Sequence, residues 1–92
     1  MNFNQQNYIV RVSKLLANAN RARIIDELST NQDISVSALA EKLGMEVNMV
    51  SNQLIKLREN QILKATQSGT NMFYRVKDER VVEILNLLKK LA

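Results

Sequence analysis

Residues 34–60 read ISVSALAEKLGMEVNMVSNQLIKLREN. Val36, Leu39, Ala40 and Leu43 share one face of a short helix that Ser35 or Ser37 can cap and that Gly44 stops. After the turn Gly44-Met45-Glu46, the residues Val47, Val50, Leu54 and Leu57 recur at i, i+3, i+7 and i+10, the stripe of a second helix. Two short helices around a glycine turn, with small Ala40 where they cross and β-branched Val50 locking the second on the first, predict a helix-turn-helix over about 35–60.

The flanks extend the pattern. Upstream, Tyr8, Ile9, Val12, Leu15, Leu16 and Ala19 form one stripe of an amphipathic helix over about 5–19. A second helix follows with Ala22, Ile24, Ile25 and Leu28 as its apolar positions, and residues 29–33 form the polar loop that ends it. Downstream, residues 62–67 and 71–76 flank Ser68-Gly69-Thr70 and predict a β-hairpin, a wing over about 62–76. Asp78 can cap a last helix over about 78–91, whose stripe is Val81, Ile84, Leu85, Leu88 and Leu91, with Val82 and Leu87 widening it. One small core does not need so wide a stripe, and the surplus points to a partner helix. The expectation is one domain over residues 1–92, mainly α with a two-stranded wing.

Composition narrows the chemistry. Within these 92 residues there is no cysteine and no histidine, which removes thiol nucleophiles, most catalytic triads, the usual zinc ligands and the physiological pH switch. No cofactor and no metal site is expected, and Zn, Cu, Ni or arsenite would find no thiolate or imidazole. The formal net charge is +4, which suits an anionic partner such as nucleic acid. Between Glu46 and Lys77 five basic side chains, Lys56, Arg58, Lys64, Arg75 and Lys77, face two acidic ones, Glu46 and Glu59, a balance of +3 out of that +4. Asn and Gln together supply 17 residues, which fits either an AT-rich genome or a use for amide donors. The polar N-terminus resembles no leader sequence, and no apolar run approaches the roughly 18 to 20 residues of a membrane span, so the reading is cytoplasmic with no membrane partner.

At about 100° per residue, Asn48, Asn52, Ile55 and Glu59 point away from the buried stripe of the second helix of the motif, with Ser51 and Lys56 beside them. Asn48, Ser51 and Asn52 can read base edges, since an Asn amide pairs with the N6 and N7 of adenine, and Ile55 can touch a thymine methyl. A solvated polar face is the competing account. Lys56, Lys64, Arg75 and Lys77 can hold phosphates, or be ordinary surface charge. Arg21 and Arg23 have a structural or a phosphate role. The carboxylates Asp26, Glu27, Glu41, Asp78, Glu79 and Glu83 fit solvated helix faces better than acid–base or hard-metal chemistry, and Met45, Met49 and Met72 fit core gaps better than oxidation sensing.

The run from Leu15 to Val76, with LLANANRARIIDEL at 15–28, Leu39-Ala40, Leu43-Gly44, Val50-Ser51, Leu54, Gly69 and Tyr74, resembles the ArsR/SmtB family of winged helix-turn-helix repressors. The likeness covers about two-thirds of the chain. It implies a symmetric homodimer held by the first and last helices, here through Tyr8, Val12, Ile84, Leu85, Leu88 and Leu91, that binds an imperfect palindrome in operator DNA. It also favours groove contact for Asn48, Ser51 and Asn52. Asp33-Ile34-Ser35-Val36-Ser37 stands where many relatives have cysteines, Asp78-Glu79-Arg80 lacks the histidines of the other common metal site, and Gln53 takes a position where histidine is frequent. The function expected is a homodimeric transcriptional repressor rather than an enzyme, and the alternative is a winged-helix protein-interaction module without DNA specificity.

Overall fold

A computed structural model describes residues 1–92. Its elements run α1 Phe3–Leu16, α2 Ala19–Thr30, α3 Val36–Leu43, α4 Val47–Glu59, β1 Leu63–Ser68, β2 Asn71–Val76 and α5 Glu79–Leu91. Five helices and a two-stranded antiparallel wing make a winged helix-turn-helix.

Every helix starts on a polar side chain that accepts an orphan N–H of the first turn. Asn2 and Gln5 form a reciprocal capping box on α1. Asn18 caps α2, accepting from Arg21 N at 3.0 Å, and so sets the boundary between the first two helices. Ala19, expected at the end of α1, therefore opens α2, and α2 continues through Thr30 into the stretch expected to be loop. Ser35 is the cap of α3, accepting from Ala38 N at 3.2 Å. Glu46 caps α4, its carboxylate accepting from Met49 N at 2.9 Å and placing negative charge at the positive end of the helix. Asp78 caps α5.

α3 and α4 both end in Schellman motifs. Gly44, at φ 66°, donates to Glu41 O while Met45 N donates to Ala40 O. Gln61 does the same after α4 at φ 64°, with Ile62 N bonded to Leu57 O. The second motif drops Ile62 into the core directly ahead of β1, which is why the strand starts one residue later than its apolar pattern.

The strands pair from Leu63 opposite Val76 to Ser68 opposite Asn71, around a two-residue turn, Gly69-Thr70. Ser35 adds a single bridge to Phe73, so the chain entering α3 lies beside the wing as a rudimentary third strand. Ile24, Ile25 and Leu28 of α2 lie at the centre of a core built with Val12, Leu15, Leu39, Ala40, Val50, Leu54, Leu57, Ile62, Leu63, Tyr74, Val76 and Val81. Val47 is not part of it. Val47, the first residue of α4, is 43% exposed, against the expectation that it heads the buried stripe. No helix is long and apolar enough to cross a membrane.

Candidate nucleic-acid interface

Because Val50, Leu54 and Leu57 fix α4 to the core, the opposite side of that helix must face outward. Asn48, Asn52 and Lys56 are exposed there, and Ser51, Gln53 and Ile55 are half-buried at its edges. Between α3, the first turns of α4 and the wing lies an open cleft of about 480 Å³, whose walls include Ser37, Val47, Asn48, Ser51, Thr70 and Asn71. These groups are small, neutral hydrogen-bonding side chains with one exposed valine, a surface able to meet base edges but without charge of its own.

The cations around this face fall into two groups. Lys56, Arg58 and Lys64 are exposed and make no ion pair. Lys77 donates to the neutral amide oxygen of Gln61, so its charge remains uncompensated. Arg75, directly across the hairpin from Lys64, is different. Its Nε donates to Asp33 Oδ1 at 2.8 Å and its Nη2 to Asp33 Oδ2, a two-pronged pair at the surface. The Arg75 hydrogen bond holds the Asp33 carboxyl below the usual carboxylate range, and the same bond raises the guanidinium. Arg75 is thus committed to Asp33, unlike the free phosphate ligand the sequence suggests. The two residues are 42 positions apart, and no local pattern signals the pair.

Arg21 and Arg23 have structural partners. Arg21 donates to the Leu15 and Lys14 carbonyls at the end of α1 and to Gln53 Oε1 in α4, and Arg23 donates to the Leu43 carbonyl that ends α3. Their partners lie on other elements, 6 to 32 positions away.

A second surface lies between α1 and α5. Tyr8, Ile9, Val12 and Leu16 of α1 and Ile84 and Leu88 of α5 line an open apolar cleft of about 430 Å³. Among the interface residues expected from sequence, Leu88 and Leu91 are 50% and 76% exposed. Ile84 and Leu85 are half-buried against the core. Val12 belongs to this chain's own core at 3% exposed and can offer a partner only an edge. Tyr8 is half-buried: its hydroxyl donates to Asp78 Oδ2 at 2.8 Å, and the Arg80 guanidinium stacks 4.0 Å from its ring centre. Burial opposes ionisation of Asp78, but hydrogen bonds from Arg80 and Tyr8 outweigh it and hold the carboxyl below its ordinary value. Asp78 is therefore both the α5 cap and the clasp between α1 and α5, while the remaining carboxylates form no cluster able to hold a metal ion.

No family model matches the chain. Among curated proteins it is similar to the HTH-type transcriptional regulator KmtR of Mycobacterium tuberculosis, 34% identical over 77 residues that cover 84% of this chain and 58% of KmtR. Among solved structures it superposes on the AntR antimony-specific transcriptional repressor with a TM-score of 0.90 at 34% identity, over 98% of this chain and 81% of that one. It also superposes on a homodimeric winged helix-turn-helix DNA-binding domain from Mycobacterium bovis, Mb0332, described as a possible ArsR-family regulator, with a TM-score of 0.80 at 30% identity over 95% and 80% of the two chains. The chain belongs to the ArsR/SmtB family. It spans 37 to 59% of the length of the first curated relatives it matches. These relatives are transcriptional regulators and not enzymes.

Proposed function

We propose that this chain is a transcriptional repressor that binds operator DNA as a homodimer, as one winged helix-turn-helix unit, with α4 in the major groove of each half of an imperfect palindrome. The observation that carries the reading is the exposed row Asn48, Asn52 and Lys56 on α4, bordered by the uncompensated cations Arg58, Lys64 and Lys77. Asn48, Ser51 and Asn52 read base edges in this arrangement, Lys56, Lys64 and Lys77 hold phosphates, and the apolar cleft between α1 and α5 receives a second copy. A two-fold dimer presents its recognition helices about 34 to 36 Å apart, one turn of DNA. The antimony specificity of AntR does not transfer on chemical grounds, since these 92 residues hold no thiol to bind it. A signal for release would be an apolar or anionic small molecule, a partner protein or dilution of the dimer.

Selection from random duplexes followed by competition over all single-base variants tests base reading. Asn52→Ala should relax the preference at one A·T pair in each half-site, at a cost of about 1 to 3 kcal/mol for the lost bidentate contact. Equal weakening of every variant would mean that Asn52 only positions the backbone. Recovery of no preferred duplex would favour the protein-interaction alternative.

Salt titration separates the cations. Lys64→Ala should lower affinity for all sequences alike and reduce the slope of log affinity against log salt by about 0.9, the share of one phosphate contact. Arg75→Ala should change the slope by less than half as much, because Asp33 already neutralises it. A full unit lost in Arg75→Ala would show that DNA displaces Asp33.

A further inference from the structure

Arg21, near the start of α2, joins three helices. Its Nε donates to Leu15 O at 2.9 Å and its Nη2 to Lys14 O at 3.2 Å, last-turn carbonyls of α1 that have no partner within that helix. Its Nη1 donates to Gln53 Oε1 at 3.2 Å, midway along α4. The guanidinium is a rigid planar fork, so fixing two of its prongs on α1 also fixes the direction of the third. Its backbone is held as well, through the Asn18 cap. At the other end of α4, Arg11 of α1 donates to Asn60 O. α4 is therefore held at its middle by Arg21 of α2, which is itself fixed on the end of α1, and just past its C-terminal end by Arg11 of α1, whose apolar side, Ile9, Val12 and Leu16, lines the cleft shared with α5.

We propose that Gln53 is a positioning residue: through Arg21 it locks α4 to α1 and thereby sets the separation of the two recognition helices in the dimer, so that it selects the spacing of DNA half-sites rather than their bases. This rests on the reading of the chain as a dimeric DNA-binding protein. The packed stripe of Val50, Leu54 and Leu57 stops α4 from lifting off the core but resists a tilt along that surface less, since apolar contact is not directional. α4 has 13 residues and is about 20 Å long. A tilt of about 10° moves its end by roughly 3 Å, close to the rise of one base pair along a strand. The Arg21–Gln53 bond, which ties the reading helix to the end of the dimer-forming helix by way of α2, thus acts on the scale that distinguishes one half-site spacing from the next.

The test measures affinity for the selected palindrome and for versions with the half-sites moved one base pair closer or further apart, with melting temperature and ultracentrifugation as controls. Wild type should lose roughly tenfold or more on either shift, as a mismatched docking does. Gln53→Met keeps the length of the side chain and removes the acceptor. It should lose roughly three- to tenfold at the preferred spacing, the worth of one ordinary, partly exposed hydrogen bond, and bind all three spacings within about threefold of one another. Its base preference should be unchanged. Gln53→Glu, whose carboxylate still accepts from Arg21, should restore the wild-type profile, and Arg21→Lys, which loses the fork, should flatten it as Gln53→Met does. A spacing profile of wild-type shape in Gln53→Met, or a changed base preference, overturns the tether and leaves the DNA-binding reading intact. A wild type that selects no duplex overturns the DNA-binding reading itself and the tether with it.

Discussion

Replacing Leu88 with lysine should split the proposed dimer and abolish tight operator binding in the same variant. Leu88 is 50% exposed beside Ile9, at 51%, on the rim of the cleft between α1 and α5. On a two-fold interface each residue appears twice, so the substitution removes two apolar contacts and brings two like charges onto one axis. Burying a leucine is worth about 1.5 to 3 kcal/mol. Leu88 is already half covered within one protomer, so its two copies together bury about one leucine's worth of surface, roughly ten- to hundredfold in the dimer dissociation constant before any charge repulsion is added. Because Leu88 lies outside the chain's own core, the monomer should keep its helical circular dichroism. Sedimentation at several protomer concentrations is the measurement, paired with operator binding. A variant that remains dimeric places the interface elsewhere, and a monomer that binds the full site as tightly as wild type removes the link between assembly and recognition. Val12 cannot serve the same purpose, because a charge there would attack the fold directly.

Leu54→Ala should cost about 2 to 5 kcal/mol, the range for deleting a fully buried leucine from a packed core. The expected stability of a chain this size is about 5 to 14 kcal/mol, so the melting temperature should fall on the order of 10 to 30 °C. Leu54 has no exposed surface and belongs to the stripe that seats α4 on the core. Val47→Ala, on the same periodic stripe but 43% exposed, should cost less than about 0.5 kcal/mol. The two should be melted at the same protomer concentration, since association shifts apparent stability. Equal losses in the two variants would mean that α4 sits tilted relative to the geometry described, with its first turn buried.

Val47 shows where reading a sequence stops. The i, i+3, i+7, i+10 spacing places four residues on one side of a helix, but whether the whole side is covered depends on how far the neighbouring helix reaches. Val47 instead lines the open cleft between the start of α3 and the wing, while Val50, one turn on, is fully buried. The boundary between α1 and α2 failed for a related reason. Apolar periodicity continues from Leu16 to Ala19, and the break comes from a side-chain cap, Asn18 on Arg21 N, that competes with helix continuation.

Local chemistry written in the sequence determined the order of five helices and one hairpin, the left-handed turn at Gly44, the hairpin turn at Gly69, and the caps at Ser35 and Asp78, because each depends on residues within about four positions of one another. The outward position of Asn48, Asn52 and Glu59 was legible on the same ground, one helix and one period, whereas Ile55, expected in the same row, is half-buried. Tertiary structure decided which cations remain uncompensated. Lys64 and Arg75 are equivalent in sequence and paired in register, yet only Arg75 meets a carboxylate, one that a loop 42 residues earlier brings beside it. It also decided the partners of Arg21, and the division of the terminal stripes into core, at Val12 and Val81, and open surface, at Leu88 and Leu91. Periodicity reports which residues share a face of one element, whereas charge pairing and burial depend on which other elements arrive at that face.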